Sequence, residues 1–150
     1  MKHAGLVLLA ERWLRQSGCG IVLTEPGRGE ERPDAIGWLT DGSSILIEAK
    51  RTRKDFLAEW TRADRKEHRR KPGGMGVKRY YIVPSAVIRQ QDLLGNGWGL
   101  LEVWTGAVSL SRPSSIFQAD YAAEVRLIVN SFSGIQRAED SNQQQLALVR

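Results

Sequence analysis

Residues 33–50 read PDAIGWLTDGSSILIEAK, and this stretch decides the fold. Two apolar runs, Ala35 to Leu39 and Ser44 to Ala49, flank Asp41-Gly42. That dipeptide favours a tight hairpin turn, because glycine reaches positive φ at no steric cost. A loop of Thr40-Asp41-Gly42 sets antiparallel pairing at a constant residue-number sum of 82. Asp34 then lies opposite Glu48, with Cβ atoms about 4.5–5.5 Å apart. Lys50 points to the same face, about 6.5–7 Å further along the strand. Charges at the end of a buried strand such as Ile45-Leu46-Ile47 are unusual, because burying them unpaired is costly.

Two adjacent carboxylates repel, and one would normally hold a proton. A hard divalent cation removes the conflict, and Mg²⁺ suits carboxylate oxygens plus water. A lysine beside such an ion can orient and help deprotonate a water, or stabilise a phosphate oxyanion. The same three residues also suit a buried Asp/Glu/Lys salt-bridge cluster without catalysis, and the residues alone leave both readings open. A second acid-x-Lys triplet, Asp64-Arg65-Lys66, falls on a predicted helix and has no acid placed beside it by a hairpin.

Outward from the hairpin, Leu6 to Leu14 reads as an amphipathic helix ending near Ser17-Gly18, and Gly20 to Thr24 as a strand. Pro26 to Pro33 reads as a loop. Thr52, with Asp55 three residues on, resembles a capping box opening a helix that runs toward His68. Pro72 to Gly76 stops it. Lys78 to Val83 is an apolar strand ended by Pro84. Trp98 to Trp104 and Ala107 to Leu110 form a second hairpin around Thr105-Gly106, and Ala119 to Phe132 a final helix. The order α-β-β-β-α-β, then a β-hairpin and a helix, predicts an α/β protein with a mixed sheet covered on both faces. Residues 1–133 form one domain; residues 134–150 turn polar and are expected to be a flexible tail.

The chain of 150 residues is one domain by length, and its 41% hydrophobic and 26% charged content is that of a globular protein. No apolar run approaches the roughly 18–20 residues of a membrane span, and none resembles a secretory signal. One cysteine, Cys19, excludes an intrachain disulfide and a cysteine-based metal cluster, so a reducing, cytoplasmic setting is expected. The net charge is +5, but between Lys50 and Arg79 there are 12 basic and 4 acidic residues. The remaining residues carry 10 basic and 13 acidic. Such focused charge is the footprint of a polyanion binder, although a solvated helix face gives the same pattern.

Pro33-Asp34, thirteen intervening residues and Glu48-Ala49-Lys50 resemble the PD-(D/E)xK nuclease superfamily. The longer string from Glu48 through Thr52-Arg53-Lys54-Asp55-Phe56 resembles its small bacterial and phage DNA-repair-associated (MmcB-like) subgroup, as do Tyr80-Tyr81-Ile82-Val83-Pro84 and Trp98-Gly99-Leu100-Leu101. The likeness covers roughly residues 5 to 105. It implies a restriction-endonuclease-like core and a Mg²⁺- or Mn²⁺-dependent nuclease. Asp34, Glu48 and the main-chain carbonyl of Ala49 would hold the metal, and Lys50 would position the attacking water. A further acid in the first helix or at the end of the first strand is common in the superfamily; Glu11 and Glu25 are the candidates, each equally readable as a surface charge. The backbone-gripping set would be Arg51, Arg53, Lys54, Arg62, Arg65, Lys66, Arg69, Arg70, Lys71 and Lys78. The expected partner is nucleic acid, DNA ahead of RNA, with a homodimer also open and no membrane. A non-catalytic nucleic-acid-binding accessory module of the same fold is the alternative, and a protein-binding basic face a third.

Other residues read plainly. His3 and His68 are too far apart in sequence to suggest zinc. Cys19 reads as a packed, inert thiol, and Phe56 and Trp60 as core. Gly73-Gly74-Met75-Gly76 lacks the Lys-Ser/Thr of a phosphate-binding loop and is expected to be a mobile segment near the active-site edge.

Overall fold

The computed structural model describes residues 1–26, 32–61, 73–93 and 95–149. Helix α1 (His3–Gln16) precedes strands β1 (Ile21–Thr24), β2 (Ala35–Trp38) and β3 (Ser44–Ala49). Helix α2 (Arg53–Thr61), strand β4 (Lys78–Pro84), a 3-10 turn at Gln90–Leu93, β5 (Gly99–Trp104), β6 (Ala107–Arg112) and helix α3 (Tyr121–Val149) follow. The protein is α/β, and among the described residues six strands form one mixed sheet ordered β1-β2-β3-β4-β5-β6. Strands β3, β4 and β5 run parallel, and the remaining pairs are antiparallel.

The pleat sorts the core into two layers, because successive side chains point to opposite faces. Ala35, Ile45, Ile47, Ala49, Tyr80, Ile82, Leu101 and Val103 meet Leu6, Val7, Ala10 and Leu14 of α1. Ile36, Trp38, Leu46, Tyr81, Val83 and Leu100 meet Phe56 of α2 and Leu127 of α3 on the other face. Tyr81 joins α2 to the sheet there: it stacks on Trp98 at 4.6 Å and makes a T-shaped contact with Phe56 at 5.1 Å. Cys19 is buried in the α1 layer, and burial pushes its thiol pKa up.

The β2–β3 hairpin has the register read from its loop: Ala35 pairs with Ile47 and Trp38 with Ser44. The turn is held by Asp41, whose Oδ1 accepts from the Ser43 amide at 2.9 Å and hydroxyl at 2.6 Å. Those bonds lower the Asp41 pKa. Thr52 caps α2, its Oγ1 accepting from the Asp55 amide at 3.1 Å. The expected course of α2 toward His68 lies outside the described residues beyond Thr61.

Two expectations are corrected. Residues 134–149 are not a loose tail but the second half of α3. Their alanine, glutamine, glutamate and leucine are good helix formers, so polarity here reflects an uncovered helix rather than lost structure. The Gly73–Gly76 segment is neither loose nor near the acids. Arg79, itself buried, donates from Nε to the carbonyl of Gly76, from Nη1 to that of Gly73 and from Nη2 to that of Gly74, at 2.9–3.1 Å. Gly76 sits at φ +94° with Leu46 Cβ 2.8 Å from where its own Cβ would stand, so only glycine fits. The segment adjoins Ser44, whose carbonyl accepts from the Val77 amide. Glu48 lies four residues further along β3, about 13 Å away.

Glu124 in the first turn of α3 ties these parts together. It is buried, and its carboxylate accepts from Trp38 Nε1 at 2.9 Å, Ser44 Oγ at 2.8 Å and the Gly76 amide at 2.9 Å. The sequence reading singled out neither Glu124 nor a buried role for Arg79.

Candidate active site

The acids gather at one end of the sheet because two registers run past the ends of their strands. The β1–β2 ladder, with Thr24 opposite Ala35, continues to Glu25, whose amide donates to the Asp34 carbonyl at 2.9 Å. The β2–β3 ladder ends with Ala35 opposite Ile47, so one further step along it sets Asp34 against Glu48. There Asp34 Oδ2 accepts from the Ala49 amide at 2.7 Å. Glu48 in turn pairs with Tyr81 across the parallel β3–β4 ladder. Glu25, Asp34 and Glu48 thus occupy one transverse row over three adjacent strands.

Asp34 and Glu25 meet a residue the sequence reading set aside. His3 Nε2 lies 3.1 Å from Glu25 Oε1 and 3.4 Å from Asp34 Oδ1. One ligand atom from each of the three falls within 4.8 Å of the others. Glu25 takes φ +44°, outside the strand conformation. Of the two further acids weighed from sequence, Glu25 is the one that stands with Asp34. Glu11 instead accepts from Arg15, one helical turn on, at 3.2 Å. No local signal marks His3: its companions are 22 and 31 positions away, and only the packing of α1 on the sheet brings its first residue to the ends of β1 and β2.

Lys50 follows β3, its amide donating to the Ile82 carbonyl at 3.0 Å. Its ammonium forms an ion pair with Glu59 of α2, and both side chains are buried or nearly so. Glu48 stands in β3 with Lys50 just past its end, but among the described residues the close cluster of ligand atoms holds His3, Glu25 and Asp34 and not Glu48; Glu59 is an additional acid that the reading missed. Its signal was weak but present: an acidic residue three positions after Phe56, on the same helix face.

The basic residues divide. Arg51 and Lys54 are exposed beside the site. Arg53 is engaged, its two terminal nitrogens donating to both oxygens of Asp92 at 2.6 and 2.8 Å. Lys78 is exposed but pairs with Ile45, at the end of β3 away from Glu48. That places it with the Gly73–Gly76 segment rather than with the acids. Arg62, Arg65, Lys66, Arg69, Arg70 and Lys71 lie outside the described residues. No described helix is long and apolar enough to cross a membrane.

No family model matches the chain, and no curated protein does. A solved structure described as the SPO1766 protein of unknown function from Silicibacter pomeroyi is similar in fold. It has a TM-score of 0.67 and 21% identity, over 92% of this chain and 88% of the other. That likeness extends to the architecture alone.

Proposed function

We propose that this protein is a metal-dependent nuclease of restriction-endonuclease-like type. It would hydrolyse phosphodiester bonds of nucleic acid, DNA ahead of RNA, in cytoplasmic repair or phage-related processing. The observation that carries the reading is the transverse row of Glu25, Asp34 and Glu48, with Lys50 two residues beyond Glu48 on the same strand. Hard oxygen donors in this number suit Mg²⁺ or Mn²⁺. Asp34, Glu48 and the Ala49 carbonyl would hold the ion, with Glu25 beside them. An imidazole nitrogen from His3 would shift the choice from Mg²⁺ toward a transition ion such as Mn²⁺. When bound, the ion supplies a Lewis acid that polarises the phosphoryl oxygen and acidifies a water.

The chain's own residues do the rest. The Ala49 amide fixes the orientation of the Asp34 carboxylate through Oδ2, leaving Oδ1 toward His3. Lys50 stabilises the phosphate oxyanion and orients water, and Glu59 holds its ammonium against α2. Exposed Arg51 and Lys54 steer the polyanion to the sheet end.

The Lys50–Glu59 pair also favours a second reading, a nucleic-acid-binding module in which the charged cluster is only structural. Two measurements separate them: calorimetric titration with Mn²⁺, and cleavage of single- and double-stranded DNA and RNA with Mg²⁺ or Mn²⁺. The nuclease reading expects metal-dependent cleavage that Glu48→Gln abolishes together with Mn²⁺ binding, while the fold persists. Salt-sensitive nucleic-acid binding with no metal-dependent cleavage of any substrate would leave the module instead. Cleavage by Glu48→Gln at the wild-type rate would overturn the catalytic assignment.

A further inference from the structure

Helix α3 is about 43 Å long at 1.5 Å per residue, yet within it only Glu124 and Leu127 are buried. Every residue from Gly134 to Val149 is exposed. A projecting helical segment of this length is marginal in water without tertiary packing. Its sequence is not that of a freely solvated helix. Tyr121, Val125, Ile128, Phe132, Ile135, Glu139, Asn142, Leu146 and Val149 follow one another in alternating steps of four and three. That is the 3.5-residue period of a coiled-coil seam, and seven of its nine positions are apolar. Tyr121, Val125, Phe132, Ile135, Leu146 and Val149 are each more than half exposed.

We propose that α3 is a homodimerisation helix, pairing antiparallel with α3 of a second copy of this chain. An alignment centred on Ile135 sets Tyr121 against Val149 of the second copy and Ile135 against itself, and brings Val125 within one residue step of Leu146. Each projecting half thereby covers the exposed apolar stripe on the other copy's anchored half. The charges select this direction. A parallel pairing stacks Glu139 on its own copy inside the seam, a like-charge contact in an apolar layer. The antiparallel pairing sets Glu139 beside Phe132, where its stem packs and its carboxylate reaches water. Two helices of this length in full contact bury on the order of 1,200–1,600 Å², the range of stable specific interfaces. This proposal is independent of the nuclease reading.

Sedimentation equilibrium of the full chain at micromolar concentration tests it. The expected mass is twice the 16.8 kDa of one chain. Val125→Glu and Leu146→Glu should each raise the dissociation constant by about tenfold or more, because each puts a charge into an apolar layer. Circular dichroism checks that both variants remain folded. Direction is read from an oxidised equal mixture of Val125→Cys and Leu146→Cys chains, which should give mainly the mixed disulfide dimer. A monomeric wild type overturns the proposal, as does a dimer indifferent to both glutamates. A predominance of same-variant disulfides overturns the antiparallel alignment.

Discussion

The ammonium of Lys50 and the carboxylate of Glu59 form an ion pair between the end of β3 and the middle of α2, with side chains 13% and 5% exposed. Burying one such group alone is strongly destabilising, and each makes the other's burial tolerable.

Removing one partner should therefore be far worse than removing both. Glu59→Ala should lose about 3–5 kcal/mol of unfolding free energy, because it leaves the Lys50 charge buried and unpaired. The double variant Glu59→Leu with Lys50→Met should recover most of that loss. Urea unfolding of the wild type, Glu59→Leu, Lys50→Met and the double variant gives the coupling directly; additive losses would show that the pair is not formed in solution. In the nuclease reading Glu59→Gln should lower the cleavage rate while Mn²⁺ affinity stays within error of wild type, since Glu59 acts through Lys50.

Glu124 accepts from three donors of three different segments, Trp38, Ser44 and Gly76. Glu124→Gln turns one acceptor oxygen into a donor facing donors, and should cost about 1–3 kcal/mol. Glu124→Ala leaves all three donors unsatisfied and should cost more than the glutamine variant. Urea midpoints rank the two, and equal stability of wild type and Glu124→Ala would contradict the buried network. Far-ultraviolet circular dichroism should also show α3 loosening before the sheet, because this carboxylate pins its first turn.

Arg53 and its neighbours should separate binding from stability. Arg51 and Lys54 are exposed, whereas Arg53 is clamped on Asp92. Replacing Arg51 and Lys54 together with alanine should flatten the dependence of log K on log salt by up to about 2 on duplex DNA, at about 0.9 per phosphate contact. The weakening should be alike across sequences, as phosphate contacts carry no direct base information. Arg53→Ala should instead cost about 1 kcal/mol of stability, as the mostly buried Asp92 carboxylate loses its cation while it keeps the Arg89 amide. An unchanged salt slope in the double variant would remove Arg51 and Lys54 from the nucleic-acid interface.

What the sequence determined by itself is local or periodic. The Asp41-Gly42 turn, the two-residue pleat and the loop length were enough to set Ala35 on Ile47 and Trp38 on Ser44, since hairpin register propagates rigidly from its turn. The Thr52 cap, the element order and the mixed sheet were legible for the same reason. Tertiary structure decided every relationship between charges that no turn or period links. His3 reaches Asp34 only because α1 packs along the sheet. Glu59 finds Lys50 only because α2 folds back over β3. Glu124 and Arg79 look like surface charges in a linear reading, and become interior ones because the Gly73–Gly76 segment and the first turn of α3 close over them. The second half of α3 was misread for the complementary reason: its polarity suggested a tail, while its helical propensity and its seam of apolar residues are properties of the folded helix and of a surface that one chain leaves uncovered.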